Sequence, residues 1–487
     1  MTFHGIFNIN IEVLDQRNSL MKVLLVEPPV SPFDVPTGVF GLPPPYHLEV
    51  LAGKLVANHD VHILDMRIDG DLDTELSKFR PDVVGCSCVA ANSHLVKQVF
   101  KRIKKLDPGI ITVVGGHHPS LMPEDCNEAF IDIVVIGEGE ETLYEIVRAC
   151  ESNRTWEEIS GIAYRFRDGE FRINQDRDLM HLDKLPIPAR NLNRLNREKK
   201  LYFRGNWRPL DCTTTSRGCP NKCTFCGLWK INRGKYRTRA PHLIADELEV
   251  ITAPNITFID DNTLDHVENA YALADEINRR GIKKRFELYG RVDTIVQHPG
   301  LVDKWCEAGM ELLLVGLEAC DDQTLKKMKK RTTTDMNRRA IEICRANGVE
   351  LAAYLIVDPS FDHEDFRRLS EYVERYNLTH PVFTILSPFP GTDLYNMVKE
   401  TLITEGFELI DFFHTVLPTR LPLDEFYEEF LGLYRRAYPF KKFLKLMAQR
   451  KAVLSPNTIL MSLKMRKRMA SLKNHHRLVR GAYYAGK

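Results

Sequence analysis

No stretch of this chain approaches the ~18–20 uninterrupted apolar residues that a membrane span needs. Its apolar runs, Ile110–Val114 and Leu312–Val315 among them, are of strand length. There is no charged-then-apolar leader: residues 1–20 alternate polar and apolar without a cleavage signal, and Met21 offers a second start. The 11 cysteines are an odd number without an export signal. That argues against a disulfide framework and for metal binding or chemistry in a cytoplasmic setting. Acidic residues are missing from 441–487, which hold 13 Lys and Arg. The rest carries 54 Lys and Arg against 66 Asp and Glu, so a net charge of +1 conceals a basic tail on an acidic body. Such a tail points to an anionic surface, membrane or nucleic acid. What is present is otherwise ordinary: 487 residues, 44% hydrophobic and 27% charged, with room for about three globular domains.

From residue 21 to about 150, short runs rich in Val and Ile (Lys22–Glu27, Val61–Leu64, Val83–Ser87, Ile111–Gly115, Ile133–Gly137) alternate with helical-length segments such as Tyr46–Asn58 and Asn92–Leu106. The alternation predicts an α/β fold, with a parallel, doubly wound, Rossmann-like sheet. A ligand would lie beyond the carboxyl ends of its strands. Those ends carry Ser87-Cys88, Gly115-Gly116-His117-His118 and Gly137-Glu138-Gly139-Glu140. Residues 151–205 read as a connector containing a hairpin, Gly161–Arg167 with Glu170–Ile173. A second series over 206–395 has strand candidates Leu210–Thr215, Ile256–Asp260, Arg285–Gly290, Glu311–Gly316, Glu350–Val357 and Val382–Ser387. It predicts a partial (β/α)6 barrel with its chemistry at the strand C-termini.

Residues 396–440 read as a helical region, with Phe426, Phe430, Leu433, Tyr434 and Ala437 on one face and Asp424 as the cap. Residues 1–20 form an extension and 441–487 the basic tail. In the tail, Met461, Met465, Met469 and Leu472 share a helical face amid Lys464, Arg466, Lys467 and Lys473. A basic amphipathic helix suits the surface of an anionic membrane, here its cytoplasmic face; a solvated basic helix is the alternative. The tail aromatics Phe443, Tyr483 and Tyr484 are not interleaved with the basic cluster, which argues against nucleic acid.

Cys219, Cys223 and Cys226 form C-x3-C-x2-C directly after the first strand of the second series. Three thiolates on a tight loop hold three irons of a 4Fe–4S cluster and leave the fourth open to a small molecule. A zinc site completed by Cys212 or a histidine is the alternative, but the spacing is not that of zinc knuckles.

The string Ser216-Arg217-Gly218-Cys219-Pro220-Asn221-Lys222-Cys223-Thr224-Phe225-Cys226 resembles the cluster loop of the radical S-adenosylmethionine superfamily. The resemblance implies that the open iron chelates S-adenosylmethionine and that Phe225 lies by its adenine. One electron from the cluster then releases a 5′-deoxyadenosyl radical. The cofactors carry the hard chemistry, and the protein positions them. The resemblance further implies that Asp260 and Asp261 hold the methionine amino group, although relatives more often place Gly-Gly-Glu there; capping the next helix is the alternative. Glu318 would contact the ribose and Arg291 the methionine carboxylate, with an exterior ion pair as the alternative for Arg291.

Val114–Ser120 and Val135–Thr142 resemble the cobalamin-binding domain that precedes the barrel in one large subclass. This implies a corrin held by Ser87, Gly115, Gly116, His117, Gly137, Glu138 and Gly139. The Asp-x-His-x-x-Gly motif of corrinoid carriers is absent, since Asp60-Val61-His62 runs on to Asp65. The cobalt is therefore expected to lack a histidine ligand, with Ser87 and Cys88 near its lower face.

Within that subclass the chain resembles the bacterial hopanoid C-3 methylases from about Met21 to Phe440. The matching strings include Trp229-Lys230, Tyr289–Val296 and His414–Leu423, the last in the region expected to bind substrate. The resemblance implies methyl transfer from methylcobalamin to C-3 of ring A of a hopanoid lipid, with electrons from a reducing partner such as flavodoxin or ferredoxin. The alternatives are a methylase of a different substrate, a cyclase on the same cofactors, or a non-catalytic cobalamin or iron–sulfur sensor. The three-cysteine loop argues against the sensor, because an open iron has no part in mere binding.

Overall fold

The computed structural model describes residues 20–68, 70–152, 154–166, 169–439 and 456–484, the last with side chains at 463–476 and Leu478. The first alternating series forms β1 (Lys22–Glu27), β2 (Asp60–Asp65), β3 (Val83–Ser87), β4 (Ile111–Gly115) and β5 (Ile133–Val135). β6 (Ile162–Arg165) and β7 (Phe171–Ile173) follow, in the sheet order β2-β1-β3-β4-β5-β6-β7. The first five run parallel, as expected, and β6 and β7 pair antiparallel. The connector hairpin thus extends the first sheet. Side chains alternate across the parallel strands: Leu24, Val26, Val84 and Val114 face one layer, and Val23, Leu25, Val83 and Val113 the other. Helix α1 (Tyr46–Leu55) covers the second face with Leu48, Ala52 and Leu55. Helix α2 (Ser93–Leu106) covers the first with Val96, Val99, Phe100 and Ile103, the i, i+3, i+4, i+7 pattern of one apolar face.

The second series forms β8 (Leu210–Thr213), β9 (Asn255–Phe258), β10 (Arg285–Gly290), β11 (Met310–Glu318), β12 (Glu350–Val357) and β13 (His380–Ile385). They stand in chain order, all parallel, which is the expected partial barrel. Phe258, Phe286 and Trp305 anchor its core, the indole edge-on to both rings.

The helix expected after residue 423 is present as α3 (Leu423–Ala437), with Phe426, Tyr427, Phe430, Leu433 and Ala437 buried. Asp424 is not its cap: Pro422 precedes the helix, and the Asp424 carboxylate sits in the first turn, where the helix dipole favours it. The tail helix α4 (Pro456–Tyr484) corrects a larger expectation. Met469 and Leu472 are buried in the barrel core, with Met465 packed against it, so the apolar face offered to a membrane is occupied by the protein itself. Arg468 donates to the carbonyls of Val35 (3.1 Å) and Thr37 (2.7 Å). Lys464, Arg466 and Lys467 stay exposed, while the Met461, Tyr483 and Tyr484 side chains and Phe443 lie outside the described residues. Among the described residues no helix is long and apolar enough to cross a membrane.

The two sheets are clamped by a buried ionic network from the connector. Arg197 holds both oxygens of Glu49 on α1 (2.6 and 2.8 Å) and reaches Asp211 on β8 at 3.0 Å. Arg190 pairs with Glu247 at 2.6 Å.

Candidate active site

Beyond β8 the chain turns into the cysteine loop, and two carboxylates brace that turn. Asp260, just past β9, accepts from Thr214 Oγ1 (2.8 Å), Thr215 N (2.7 Å), Thr215 Oγ1 (2.5 Å) and Ser216 N (3.1 Å). Asp261 accepts the Gly218 N–H at 2.7 Å. Gly218 has φ +96°, and a Cβ there would run into the Lys235 carbonyl, so only glycine fits. Further along, Trp229 Nε1 donates to Cys223 O at 3.3 Å and Leu394 N to Thr224 O at 2.9 Å. Asp260 is buried, and the loop engages both its oxygens. It positions the cysteine loop, whereas Asp261 remains partly exposed. Burial raises the pKa of both carboxyls against these hydrogen bonds.

The donor set fits a cluster. Cys219 and Cys226 are partly exposed, and Asn221 Nδ2 donates to Cys219 Sγ at 3.7 Å. The Arg291 guanidinium interacts electrostatically with Cys219 and Cys223. Burial pushes the Cys226 thiol up to about 12, a proton that coordination to iron would displace. Among the described residues no three His, Cys, Asp or Glu side chains are drawn together tightly enough for a single ion. A cluster instead places one thiolate on each of three irons. Cys212, the fourth ligand of the zinc alternative, is fully buried in β8 among Tyr46, Val50 and Leu185.

Arg291 and Glu318 prove to be neighbours through a residue that sequence reasoning missed. Lys330 Nζ pairs with Glu318 Oε1 at 2.6 Å, while Lys330 O accepts from Arg291 Nη2 at 3.0 Å. Arg291 also holds Asp293 through both oxygens at 3.0 Å, and it is buried, so it is no exterior pair. Glu318 has φ +63° at a register shift in β11, and it folds back over Gly316, where any side chain would collide with its carboxylate. Lys330 lies twelve residues on, with no local pattern tying it to either partner.

The carboxyl ends of the first sheet face the cysteine loop. Gly116 has φ +111°, and its Cβ would come within 2.7 Å of Cys88 O; Gly137 has φ +86° and open space around it. Such a cradle at the ends of β3, β4 and β5, beside the point where strand order reverses, fits a corrin-sized ligand. Ser87 is partly exposed there, whereas Cys88 is buried in the core with Val96 and Cys126. His117 is exposed beyond β4, and desolvation by the surrounding protein lowers its pKa, with Asp261 pulling the other way. His62 stacks on Phe79 at 3.8 Å and bonds Glu75, away from the strand ends.

Glu138 differs from the other cradle residues: its carboxylate bonds Arg217 (2.8 Å), Arg237 (3.0 Å) and Met180 N (2.7 Å). Arg217 also holds Glu140 at 2.5 Å. Glu138 therefore joins the first sheet to the cysteine loop. The segment His117–Leu121 closes the same seam, with Leu121 seated on Gly227 and Gly391, where a Cβ would strike its side chain. Phe225 is half-buried, and Gly115 and Gly139 line the strand ends. In the string 414–423, by contrast, His414, Thr415 and Val416 are completely buried and shape the fold.

Residues 38–147 match the B12 binding domain, and residues 213–373 the Radical SAM superfamily. The hopanoid C-3 methylase of Methylococcus capsulatus is 32% identical over 431 residues, covering 86% of this chain and 80% of the relative. The anaerobic magnesium-protoporphyrin IX monomethyl ester cyclase of Rubrivivax gelatinosus is 28% identical over 82% of this chain and 75% of its own. Among solved structures, the cobalamin-dependent radical enzyme OxsB, with aqua-cobalamin and S-adenosylmethionine bound, superposes with a TM-score of 0.72 at 16% identity. That match covers 93% of this chain and 72% of OxsB. The methyltransferase TsrM of Kitasatospora setae, with cobalamin and a [4Fe-4S] cluster bound, superposes with a TM-score of 0.68 at 18% identity, over 93% of this chain and 100% of TsrM.

Proposed function

Because the chain belongs to the cobalamin-dependent radical S-adenosylmethionine methyltransferases, with a 4Fe–4S cluster, S-adenosylmethionine and cobalamin as its cofactors, we propose that its substrate is a hopanoid lipid, methylated at C-3 of ring A. The observation that carries this reading is the 32% identity to the Methylococcus hopanoid C-3 methylase over most of both chains. Apolar side chains left exposed beyond strand ends support it: Val89 after β3, Ile259 after β9, and Phe412, which packs on Phe389 at 4.7 Å. A hydrocarbon skeleton offers no charge to pair, so its affinity must come from such surface, at about 25 cal/mol per Å² buried.

In this reading residues 21–150 form the cobalamin domain, 206–395 the barrel and 396–440 the substrate region. When bound, the cofactors supply a carbon radical and a transferable methyl group. Cys219, Cys223 and Cys226 hold the cluster, with Asp260 and Asp261 bracing their loop. Arg291, Glu318 and Phe225 orient S-adenosylmethionine, and Ser87, His117 and the glycines of the first sheet seat the corrin. No side chain acts as a base, since hydrogen leaves an unactivated carbon as an atom. The protein's part is to position the reactants and exclude water.

Expression in a hopanoid-producing host without ring-A methylation, beside a Cys223→Ala control, tests the reading by lipid mass spectrometry. A hopanoid heavier by one CH2, with the gain in ring-A fragments and absent from the control, is expected. Unchanged lipids from cluster- and cobalamin-loaded protein would overturn the hopanoid assignment. A tetrapyrrole substrate is the second reading, favoured by the 28% identity to the Rubrivivax cyclase; an altered pigment with unchanged hopanoids would put it first.

A further inference from the structure

The cysteine loop is tied to a segment whose inward-facing Lys330 meets Glu318 but whose exposed cations no part of the reaction uses. Thr224 N donates to Met328 O at 3.2 Å, and Cys223 Sγ lies 4.0 Å from Lys329 O. The segment reads Lys326-Lys327-Met328-Lys329-Lys330-Arg331. Lys329 (φ +54°) and Arg331 (φ +62°) adopt left-handed backbone, unusual for side chains of this size. The alternation turns Met328 and Lys330 inward and leaves Lys326, Lys327, Lys329 and Arg331 exposed. Lys222, from the cysteine loop itself, is exposed beside them. None of these five cations forms an ion pair among the described residues. Four of them, all but Lys327, line an open cavity of about 680 Å³ whose one carboxylate, Asp322, accepts from Thr334 N at 2.7 Å.

We propose that this basic face beside the cluster loop is the docking surface for a small acidic protein that carries single electrons, of the flavodoxin or ferredoxin class. The inference rests on the family's need for an electron and not on the hopanoid reading. In the step it serves, the carrier is oxidised by one electron and the cluster reduced by one, with no bond made or broken between the proteins. The body outside the tail is acidic overall, so unpaired cations gathered here are a local reversal of sign. A potential of one sign steers a partner of the other sign and sets its orientation. A buried small-anion site would draw its cations inward with satisfied partners. These are solvent-exposed and carried on long flexible stems, which suits a protein surface. Lys222 precedes Cys223 in the chain and the Lys329 carbonyl lies 4.0 Å from Cys223 Sγ, so these cations gather where an electron must arrive.

The test measures binding of a recombinant bacterial flavodoxin to the full-length, cluster-loaded protein by surface plasmon resonance. The variant Lys326→Glu/Lys329→Glu/Arg331→Glu is compared with Lys464→Glu/Arg466→Glu/Lys467→Glu, an equal charge change on the exposed face of the tail helix. The first is expected to weaken binding about tenfold or more and the second less than about twofold, with affinity falling as salt rises from about 50 to 300 mM. By electron paramagnetic resonance, photoreduced flavodoxin should reduce the cluster of the first variant more slowly than that of the unaltered protein, while dithionite reduces both equally. Should the triple variant lose its cluster, Lys326→Gln/Arg331→Gln carries the same comparison. Equal weakening by both charge reversals, unchanged binding by the first, or no binding of flavodoxin and of a [2Fe–2S] ferredoxin to the unaltered protein would overturn the proposal. The two tests fail separately: the lipid experiment uses the unaltered protein and the host's own reductants and reads the substrate, whereas the binding comparison reads only where an electron carrier docks.

Discussion

Gly218 occupies a position closed to every other residue, because left-handed backbone and the Lys235 carbonyl meet there just before the first cysteine. Gly218→Ala is expected to lower stability by more than about 1–2 kcal/mol through backbone strain alone. It should also reduce the iron bound after reconstitution, measured by iron and sulfide assay. Gly316 is closed to a side chain for a different reason: its backbone is not left-handed, but a Cβ there would meet the Glu318 carboxylate. The cysteines were legible because thiolate spacing is a local property, and so was Gly218 as part of that string. Lys330 was not, since its meaning comes from Glu318 and Arg291, which reach it across the ends of separate strands. The exposed cations from Lys326 to Arg331 were passed over for a related reason: a charge run acquires significance only when the fold lays it against the cluster loop.

Among the elements, the tail helix departs most from its sequence pattern. Its periodicity was correct, but an amphipathic face reads the same whether it meets lipid or the protein's own core. Here Met469 and Leu472 enter the barrel, and the helix is fastened by a buried chain: Asp411 to His414 at 2.9 Å, His414 to His475 at 2.8 Å, and His475 to Ser471 at 3.0 Å. Tyr427 meets His476 at 3.0 Å on the same face, with the Phe33 ring 5.5 Å from His475. Burial lowers the His475 pKa to about 4, His414 adds to the effect and Asp411 opposes it. An undocked His475 titrates near 6.5, so the undocked state binds more protons between these values. Docking is therefore at full strength above about pH 6.5 and weakens as pH falls toward 4. Amide-exchange protection factors over 465–476 should drop by about tenfold from pH 7 to pH 5, and His475→Gln should remove that dependence.

At the scale of the whole molecule, the two sheets are held by ionic seams whose partners lie far apart in sequence. Arg197 joins Glu49 and Asp211, while Arg217 joins Glu138 and Glu140. Breaking a buried pair leaves the remaining charge without compensation. Arg197→Met is therefore expected to cost about 3–5 kcal/mol, read as a shift in the urea unfolding midpoint. Glu138 was placed in the corrin cradle through the resemblance of its loop to a cobalamin-binding domain, and its bond to Arg217 shows that the same glycine-rich loop also locks the second domain. The sequence by itself determined the two alternating βα series, the glycine-rich turns at their strand ends and the three-thiol loop. Each is written in short-range periodicity or spacing, which survives without knowledge of distant contacts. Only the tertiary structure decided that Asp260 braces the cysteine loop, that Lys330 links Arg291 to Glu318, and that the basic tail packs inward. Those outcomes depend on which residues from remote segments meet, and burial then assigns each charge the partner it must have.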